Sequence, residues 1–481
     1  MNMSINNPNK EEDNEEENIR LEKFTSSEFS EETPDKNNDY IKDVFMKNIR
    51  KNIFILAIVF IFFISEFFFR KPLFEYSKTF EKKWQKSASE GTIIFFKIIT
   101  KVCGEYLMGA PIAFVLCFFP MVKSSFYIAG LIFDLHFHSL MKIWYGNSRP
   151  YWEDPELFKD ICDGGFGNPS GHSISSVYLY SALYIYLYET KMLENKNIIK
   201  IILLLLFITY ALLVVLSRLI LGIHSINQIL YGSVLGLFTT LLICQIFKLH
   251  KMPISFYKKL FKEKLYIFCI SSILIVLALF SIVSCASFNR NFDYEHTNQN
   301  LPEKCRNLPE YRKYNNDGLF GAFVVFALLG MYLGQVIFWY LIDNRYKKEI
   351  KVNKKIESFK SSDTISDISK DDYDEKKNDK LIDDLINNWN ENRTYININM
   401  TKLLKLTVFL LICCIPLIFF LFISKTANIV VIFIFKIAIP FFSTLFLIYS
   451  LGFYYIIKIL CGEKDELLNK VDDQNIDTSL V

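Results

Sequence analysis

The chain has 481 residues, 51% of them hydrophobic, with 46 Phe and 26 Tyr among them; 54 basic side chains nearly balance 51 acidic ones to leave a net charge of +3. This apolarity, with a mean hydropathy above zero, argues against two or three soluble domains and for a protein that crosses a membrane several times. The balanced charge gives no reason to expect a nucleic-acid partner; the bilayer itself is the expected one.

Residues 1–38 are polar and acidic, rich in Glu and Asn, and read as disordered. No cleavable signal peptide is apparent, and the first apolar run, beginning at Ile53, is expected to act as its own insertion signal. A spanning helix needs roughly 20 mostly apolar residues. About ten runs qualify: 53–69, 106–122, 126–141, 172–188, 201–221, 225–247, 265–284, 319–341, 403–422 and 437–457. The run 92–99 is too short and suits the interface. These runs are continuous rather than alternating, and an open strand edge cannot sit in lipid, so the expected class is an all-α polytopic membrane protein.

The chain divides accordingly into an acidic cytoplasmic tail (1–51), a core of six spans (52–247), two further spans with a lumenal loop (248–342), a charged cytoplasmic linker (343–402), two more spans (403–460) and a polar tail (461–481). The linker carries Ser361, Ser362, Thr364, Ser366 and Ser369 among acids. It reads as a plain solvated connector or as an acceptor of phosphate.

Orientation follows from lysines in short loops. Residues 248–264 hold six lysines and one glutamate, and 343–355 are similarly basic. That face, shared with the N-terminus, is expected to be cytoplasmic. The ends of the third and fifth spans and the start of the fourth then meet on the opposite, lumenal or extracellular, face. Segment 70–101 runs against this assignment, being lysine-rich yet on the non-cytoplasmic side.

Of the ten cysteines, Cys117, Cys244, Cys269, Cys413 and Cys414 lie inside apolar runs and read as small buried hydrophobes. Cys103, Cys162, Cys285 and Cys305 fall on the non-cytoplasmic side, where disulfides form. Cys285 with Cys305 is the simplest pair, free thiols being the alternative, and no CxxC suggests zinc or redox chemistry.

Three short pieces carry the chemistry: KIWYGNSRP at 142–150, PSGH at 169–172 and SRLILGIH at 217–224. Lys142, Arg149 and Arg218 can clamp the charge that builds on the oxygens of a phosphate ester, arginine through a planar fork. One such residue at a span end is usually an interface anchor. The association of three of them with His172 and His224 points to catalysis, because imidazole serves as nucleophile or proton donor near neutral pH. Pro169 and Gly171 impose a turn ahead of the fourth span, where backbone N–H groups and a helix N-terminus favour an anion.

In this order and at these spacings, the three pieces resemble the signature of the type 2 phosphatidic acid phosphatase family, which is related to vanadium haloperoxidases and includes lipid phosphate phosphatases and glucose-6-phosphatases. The resemblance implies a six-helix catalytic core over roughly residues 53–247, to which the four later apolar runs would add C-terminal spans. It implies that His224 attacks phosphorus to form a phosphohistidine and that His172 protonates the leaving oxygen and then activates water. Lys142, Arg149, Arg218, Ser170 and the Gly171 N–H would hold the phosphate, with no metal and no cofactor. The family usually places Asp four residues after the nucleophile; here that position is Gln228, which can still orient the ring of His224. Relatives of glucose-6-phosphatase and dolichyl-diphosphate phosphatase type also tend to carry Gln there.

The expected substrate is an amphiphilic phosphate such as phosphatidate or a sphingoid phosphate. A sugar phosphate is the alternative, suggested by Gln228 and by Arg149-Pro150-Tyr151-Trp152. A non-catalytic scaffold or transporter of the same fold is a second alternative. The endoplasmic reticulum is the favoured membrane. Asp134, His138 and Lys142 share one helical face while His136 points away, which suits a network beneath the site, or simple packing, better than a metal centre. Glu66 and Lys436 show no evident partner.

Overall fold

The structure, a computed structural model, describes residues 34–102, 109–119, 121–157, 161–163, 165–188, 193, 196–249, 254–289, 305, 320–341, 442–443 and 446–448. The runs 403–422 and 437–457, the 343–402 linker, Lys436 and Cys103 lie largely or wholly outside them. Among the described residues there are helices and no strands, so the molecule is an all-α polytopic membrane protein.

The helices in chain order are α1 (Pro34–Ser87), α2 (Glu90–Lys101), α3 (Gly109–Phe118), α4 (Met121–Tyr145), the short α5 (Pro150–Glu153), α6 (Gly171–Tyr188), α7 (Asn197–Ile220), α8 (Ile226–Thr240, continued by a π-turn over Leu241–Ile246), α9 (Ile254–Lys262) and α10 (Lys264–Asn289). A further helix, α11, covers Phe320–Leu341. Among the described residues, five stretches are long and apolar enough to cross a bilayer: Phe45–Ser87, Asn197–Ile220, Ile226–Ile246, Lys264–Ser287 and Phe320–Leu341. Their outward faces are apolar; Phe54, Phe60, Phe67, Phe68, Ile198, Leu205, Phe268 and Val276 are all exposed. Such faces suit lipid, which has no hydrogen bonds to offer.

The helices α4 and α6, expected as the third and fourth spans, carry too many polar groups to join that set, and those groups turn inward. Asp134, His138, Ser139 and Lys142 on α4 are buried, as are Ser173, Ser175 and Ser176 on α6. Around α6 pack α4, α7 and α8, while α1 lies along α8, α2 along α7 and α10 against α4. α8 packs closely on α6. A Cβ on Gly232 would stand 2.5 Å from the Ser170 carbonyl oxygen, and one on Gly236 would stand 2.6 Å from that of Ile174. Glycine one turn apart thus lets two backbones touch, as small residues do where helices pack in membranes. This contact brings the PSGH turn onto the first turn of α8.

The structure departs from expectation along 70–101. Instead of a lysine-rich loop, α1 continues to Ser87 and, at 54 residues and about 80 Å, projects beyond any hydrocarbon layer. Lys78 and Lys82 face acids just past the KIWYGNSRP motif. Lys78 pairs with Glu153 at 2.7 Å and Lys82 with Asp154 at 3.0 Å. These two lysines are therefore paired with acids rather than forming a bare positive loop.

The cysteine pairing also differs. Cys162 is joined to Cys305, with Cα atoms 5.5 Å apart, and Cys285, buried within α10, stays outside that bond. Cys285 is held in a helix and turned into the core, whereas Cys162 lies between α5 and α6. The bond ties that segment to the connection between α10 and α11.

Candidate active site

Four element ends meet at one end of the bundle: the C-termini of α4 and α7 and the N-termini of α6 and α8. They bring Lys142, Arg149, Ser170, Gly171, His172, Arg218, His224 and Gln228 together, although these residues span 87 positions of sequence. Lys142, Arg149, Ser170, Arg218, His224 and Gln228 are buried. The charges of Lys142, Arg149 and Arg218 all bear on both His172 and His224.

The α7 end explains how Arg218 and His224 share one place. Gly222 has φ +70°, a conformation that favours glycine, and a Cβ there would meet the Leu157 carbonyl oxygen at 2.8 Å. The chain reverses at this point, and the N–H groups of Ile223 and His224 both return to the Arg218 carbonyl at 3.0 and 3.2 Å.

His224 is held at both ring nitrogens. Its Nδ1 lies 3.1 Å from Gln228 Oε1, and its Nε2 lies 3.1 Å from Arg149 Nη1. The amide of Gln228 has one allowed orientation: Oε1 accepts the Ser225 N–H at 3.2 Å, and Nε2 donates to the Ser148 carbonyl at 2.8 Å. With Oε1 as an acceptor facing Nδ1, the proton belongs on Nδ1. A guanidinium can only donate, so the lone pair on Nε2 faces Arg149. Gln228 thus performs the orienting job a carboxylate would do, without the charge, and Gly167 makes room for it, since a Cβ there would stand 2.4 Å from Nε2 of the amide.

Arg149 is fixed on three sides. Its Nε donates to the Gly165 carbonyl at 2.9 Å, and Nη1 also reaches Asp163 Oδ2 and the Ile223 carbonyl, each at 3.3 Å. Arg218 donates through Nη2 to the same Asp163 oxygen. Asp163 is held in turn by Tyr151, whose hydroxyl donates to the Asp163 carbonyl at 2.8 Å and accepts its N–H at 3.2 Å.

These charges set the ionisation of the loop groups. Burial alone would raise the Asp163 carboxyl, but Arg149 and Arg218 outweigh it and hold it far below the usual carboxylate range. Burial pushes His224 well below 6.5, and the adjacent Arg149 and Arg218 push it further. Both effects favour the neutral form of the imidazole.

Sequence reasoning missed Asp163. Two arginines removed from water need a counter-charge, and that requirement was the available signal. It also missed the brace that α1 provides. Glu66, expected to have no partner, pairs with Arg70 at 2.7 Å and accepts from Asn168 Nδ2 at 3.1 Å, two residues ahead of Ser170. Arg70 in turn lies 3.8 Å over the Tyr145 ring. Further along α1, Ser77 Oγ accepts the Ile226 N–H at 3.0 Å and Gln85 donates to the Ile220 carbonyl at 2.7 Å. The long helix therefore touches both flanks of the turn that bears His224.

The Asp134, His136 and His138 set on α4 disperses. Asp134 accepts from Thr239 on α8, and His136 Nδ1 reaches the Gly321 carbonyl at 3.1 Å. His138 lies beneath Gly171, where a Cβ would stand 2.8 Å from its Nε2. His138 is thus the member of the three that underlies the site.

The fold and the site together define a helical membrane protein with a buried cluster of two arginines, a lysine and two histidines at one end of its bundle. Residues 124–252, which hold every residue of that cluster, match the family model of the PAP2 superfamily. This is the superfamily that the three motifs resemble. A solved structure, the crystal structure of the first transmembrane PAP2 type phosphatidylglycerolphosphate phosphatase from Bacillus subtilis, is similar to 44% of this chain and 98% of that one, at 18% identity and a TM-score of 0.35. No curated protein matches the chain.

Proposed function

We propose that the protein is a membrane phosphatase that removes phosphate from a lipid phosphomonoester through a phosphohistidine intermediate. One observation carries the reading: His224, its Nε2 within hydrogen-bond distance of Arg149, shares a buried cradle with two guanidiniums that converge on a single anionic oxygen. A phosphoryl group in the place of that oxygen would meet both arginines and the nucleophile at once.

In this reading His224 Nε2 bonds to phosphorus as the bond to the leaving oxygen breaks, and His172, at the N-terminus of α6, protonates that oxygen. Water, giving a proton back to His172, then cleaves the phosphorus–nitrogen bond and releases phosphate. Lys142, Arg149, Arg218, Ser170 and the Gly171 N–H hold the phosphoryl oxygens through both steps. Each of these groups belongs to the chain itself, so the reaction as written calls for no metal.

A lipid substrate is supported by the surroundings. Phe67, Phe68 and Phe69 are exposed on α1 beside Glu66, which contacts the turn leading to Ser170. An apolar surface thus flanks the cradle, and a lipid can present its phosphate while its chains stay in the leaflet. The Cys162–Cys305 bond supports placing the cradle on the lumenal or extracellular face, because disulfides persist in oxidising compartments.

Purified protein in detergent is expected to release inorganic phosphate from phosphatidate or sphingosine 1-phosphate without added metal, more readily than from glucose 6-phosphate. The His224→Ala variant is expected to lose that activity. Preference for glucose 6-phosphate would favour the sugar-phosphate alternative, and full activity in the variant would exclude the mechanism.

A further inference from the structure

The place that the proposed reaction reserves for a phosphoryl group is occupied by the protein's own anion. Asp163 Oδ2 receives Arg149 Nη1 at 3.3 Å and also Arg218 Nη2. The same Arg149 nitrogen is 3.1 Å from His224 Nε2, so the carboxylate oxygen sits one N–H group away from the nucleophile. The fit is incomplete. Arg218 Nε is buried and has no acceptor among the described residues, which leaves one donor that a two-oxygen carboxylate does not satisfy and a three-oxygen phosphoryl group would.

The carboxylate also has a way out. Both arginine side chains are almost wholly buried, whereas that of Asp163 is 31% exposed. Its backbone is tied by Tyr151 on one side and by the neighbouring Cys162–Cys305 bond on the other. Rotation of the side chain alone would therefore clear the cradle while the loop stays in place.

We propose that Asp163 is a built-in competitor of the substrate: its carboxylate fills the phosphate cradle in the resting protein and must swing out before a phosphoryl group can reach Arg149, Arg218 and His224. In this state the two buried guanidiniums stay neutralised between turnovers, and affinity for phosphate, including the product, is held down. The inference rests on the phosphatase reading for its biological meaning and on the arginine pair alone for its physics.

The test measures binding of inorganic phosphate to the full chain in detergent, by calorimetry or as inhibition of turnover. Removing the negative charge in Asp163→Asn is expected to tighten phosphate binding about tenfold or more, while Asp163→Glu, which keeps the charge, stays near the wild type. Unchanged or weaker binding in Asp163→Asn, or equal shifts in both variants, would overturn the proposal. A structure of the wild-type chain soaked with phosphate tests it without substitution: an anion bound while Asp163 still contacts both guanidiniums would also overturn it. If the wild type hydrolyses phosphomonoesters but Asp163→Asn binds phosphate no tighter, this inference alone fails. If phosphate displaces Asp163 but no ester is hydrolysed, the phosphatase reading fails and this inference stands.

Discussion

Arg149 and His224 are joined through one atom: Nη1 of the guanidinium lies 3.1 Å from the imidazole Nε2, and it is the same nitrogen that reaches Asp163 and the Ile223 carbonyl. One planar group thus positions the proposed nucleophile, the turn that carries it and the anion in front of it. Lysine has a single nitrogen and no fork. Arg149→Lys is accordingly expected to lower kcat/KM by about a hundredfold, although the charge is conserved, with the helical content unchanged by circular dichroism.

Gln228 acts through His224. In Gln228→Leu the Ser225 N–H and the Ser148 carbonyl lose their partners along with Nδ1 of the ring. The ring is then free to turn its lone pair away from the cradle. Steady-state kinetics are expected to show kcat falling about ten- to a hundredfold with a much smaller change in KM, since the phosphate ligands are untouched. A parallel loss in phosphate binding would mean that Gln228 supports the cradle as a whole.

The depressed ionisation of His224 sets the sign of the pH response. The reactive form is the neutral ring, and burial together with Arg149 and Arg218 keeps that form populated below 6.5. As pH falls, protonation of His224 is expected to limit kcat/KM only at a midpoint below the usual histidine range, while protonation of His172, the proposed acid, acts in the opposite sense. Arg149→Gln removes one of the opposing charges, so the midpoint of its residual activity is expected to move up. The Asp163 carboxylate, held low by the two arginines, stays ionised across this window. Its contribution to stability is present above the ordinary carboxylate value of about 3.9 and is lost only as pH falls below that range.

What the sequence disclosed of this site was what lies close together along the chain. Lys142 with Arg149, Ser170 with His172, and Arg218 with His224 each fall within eight residues, and apolar runs of bilayer length announced the helices between them. Glu66, Ser77 and Gln85 of α1 act on residues about a hundred or more positions away, and nothing in their local pattern distinguishes them from ordinary polar residues of a long helix. Asp163 was hidden for the same reason, as it is bound to arginines 14 and 55 positions distant. The cysteines mislead in the opposite direction: Cys285 is nearer to Cys305 in sequence, but its helix turns it into the core.

That pairing has a direct chemical check. Cys162 and Cys305 are expected to resist maleimide under native, oxidising conditions and to react after reduction and denaturation, and peptide mapping without reduction is expected to recover them cross-linked. Cys285 is expected to react once the chain is denatured, without any reductant. A cross-linked peptide containing Cys285 would reverse the assignment.

The brace from α1 is tested at Glu66, whose carboxylate holds Arg70 at 2.7 Å and Asn168 at 3.1 Å. In Glu66→Leu the Asn168 amide loses an acceptor just ahead of the PSGH turn, and Arg70 keeps its stacking on Tyr145 and Phe67 but loses its ion pair. Hydrogen bonds to a buried charge contribute about 1.5–3 kcal/mol, so the midpoint of thermal unfolding in detergent is expected to fall by several degrees. Because Asn168 leads into Ser170 and His172, kcat is expected to fall as well, whereas a surface exchange on the same helix, Lys83→Gln, is expected to leave both unchanged. Loss of stability with full kcat would confine Glu66 to holding α1 in place and would separate the brace from the chemistry.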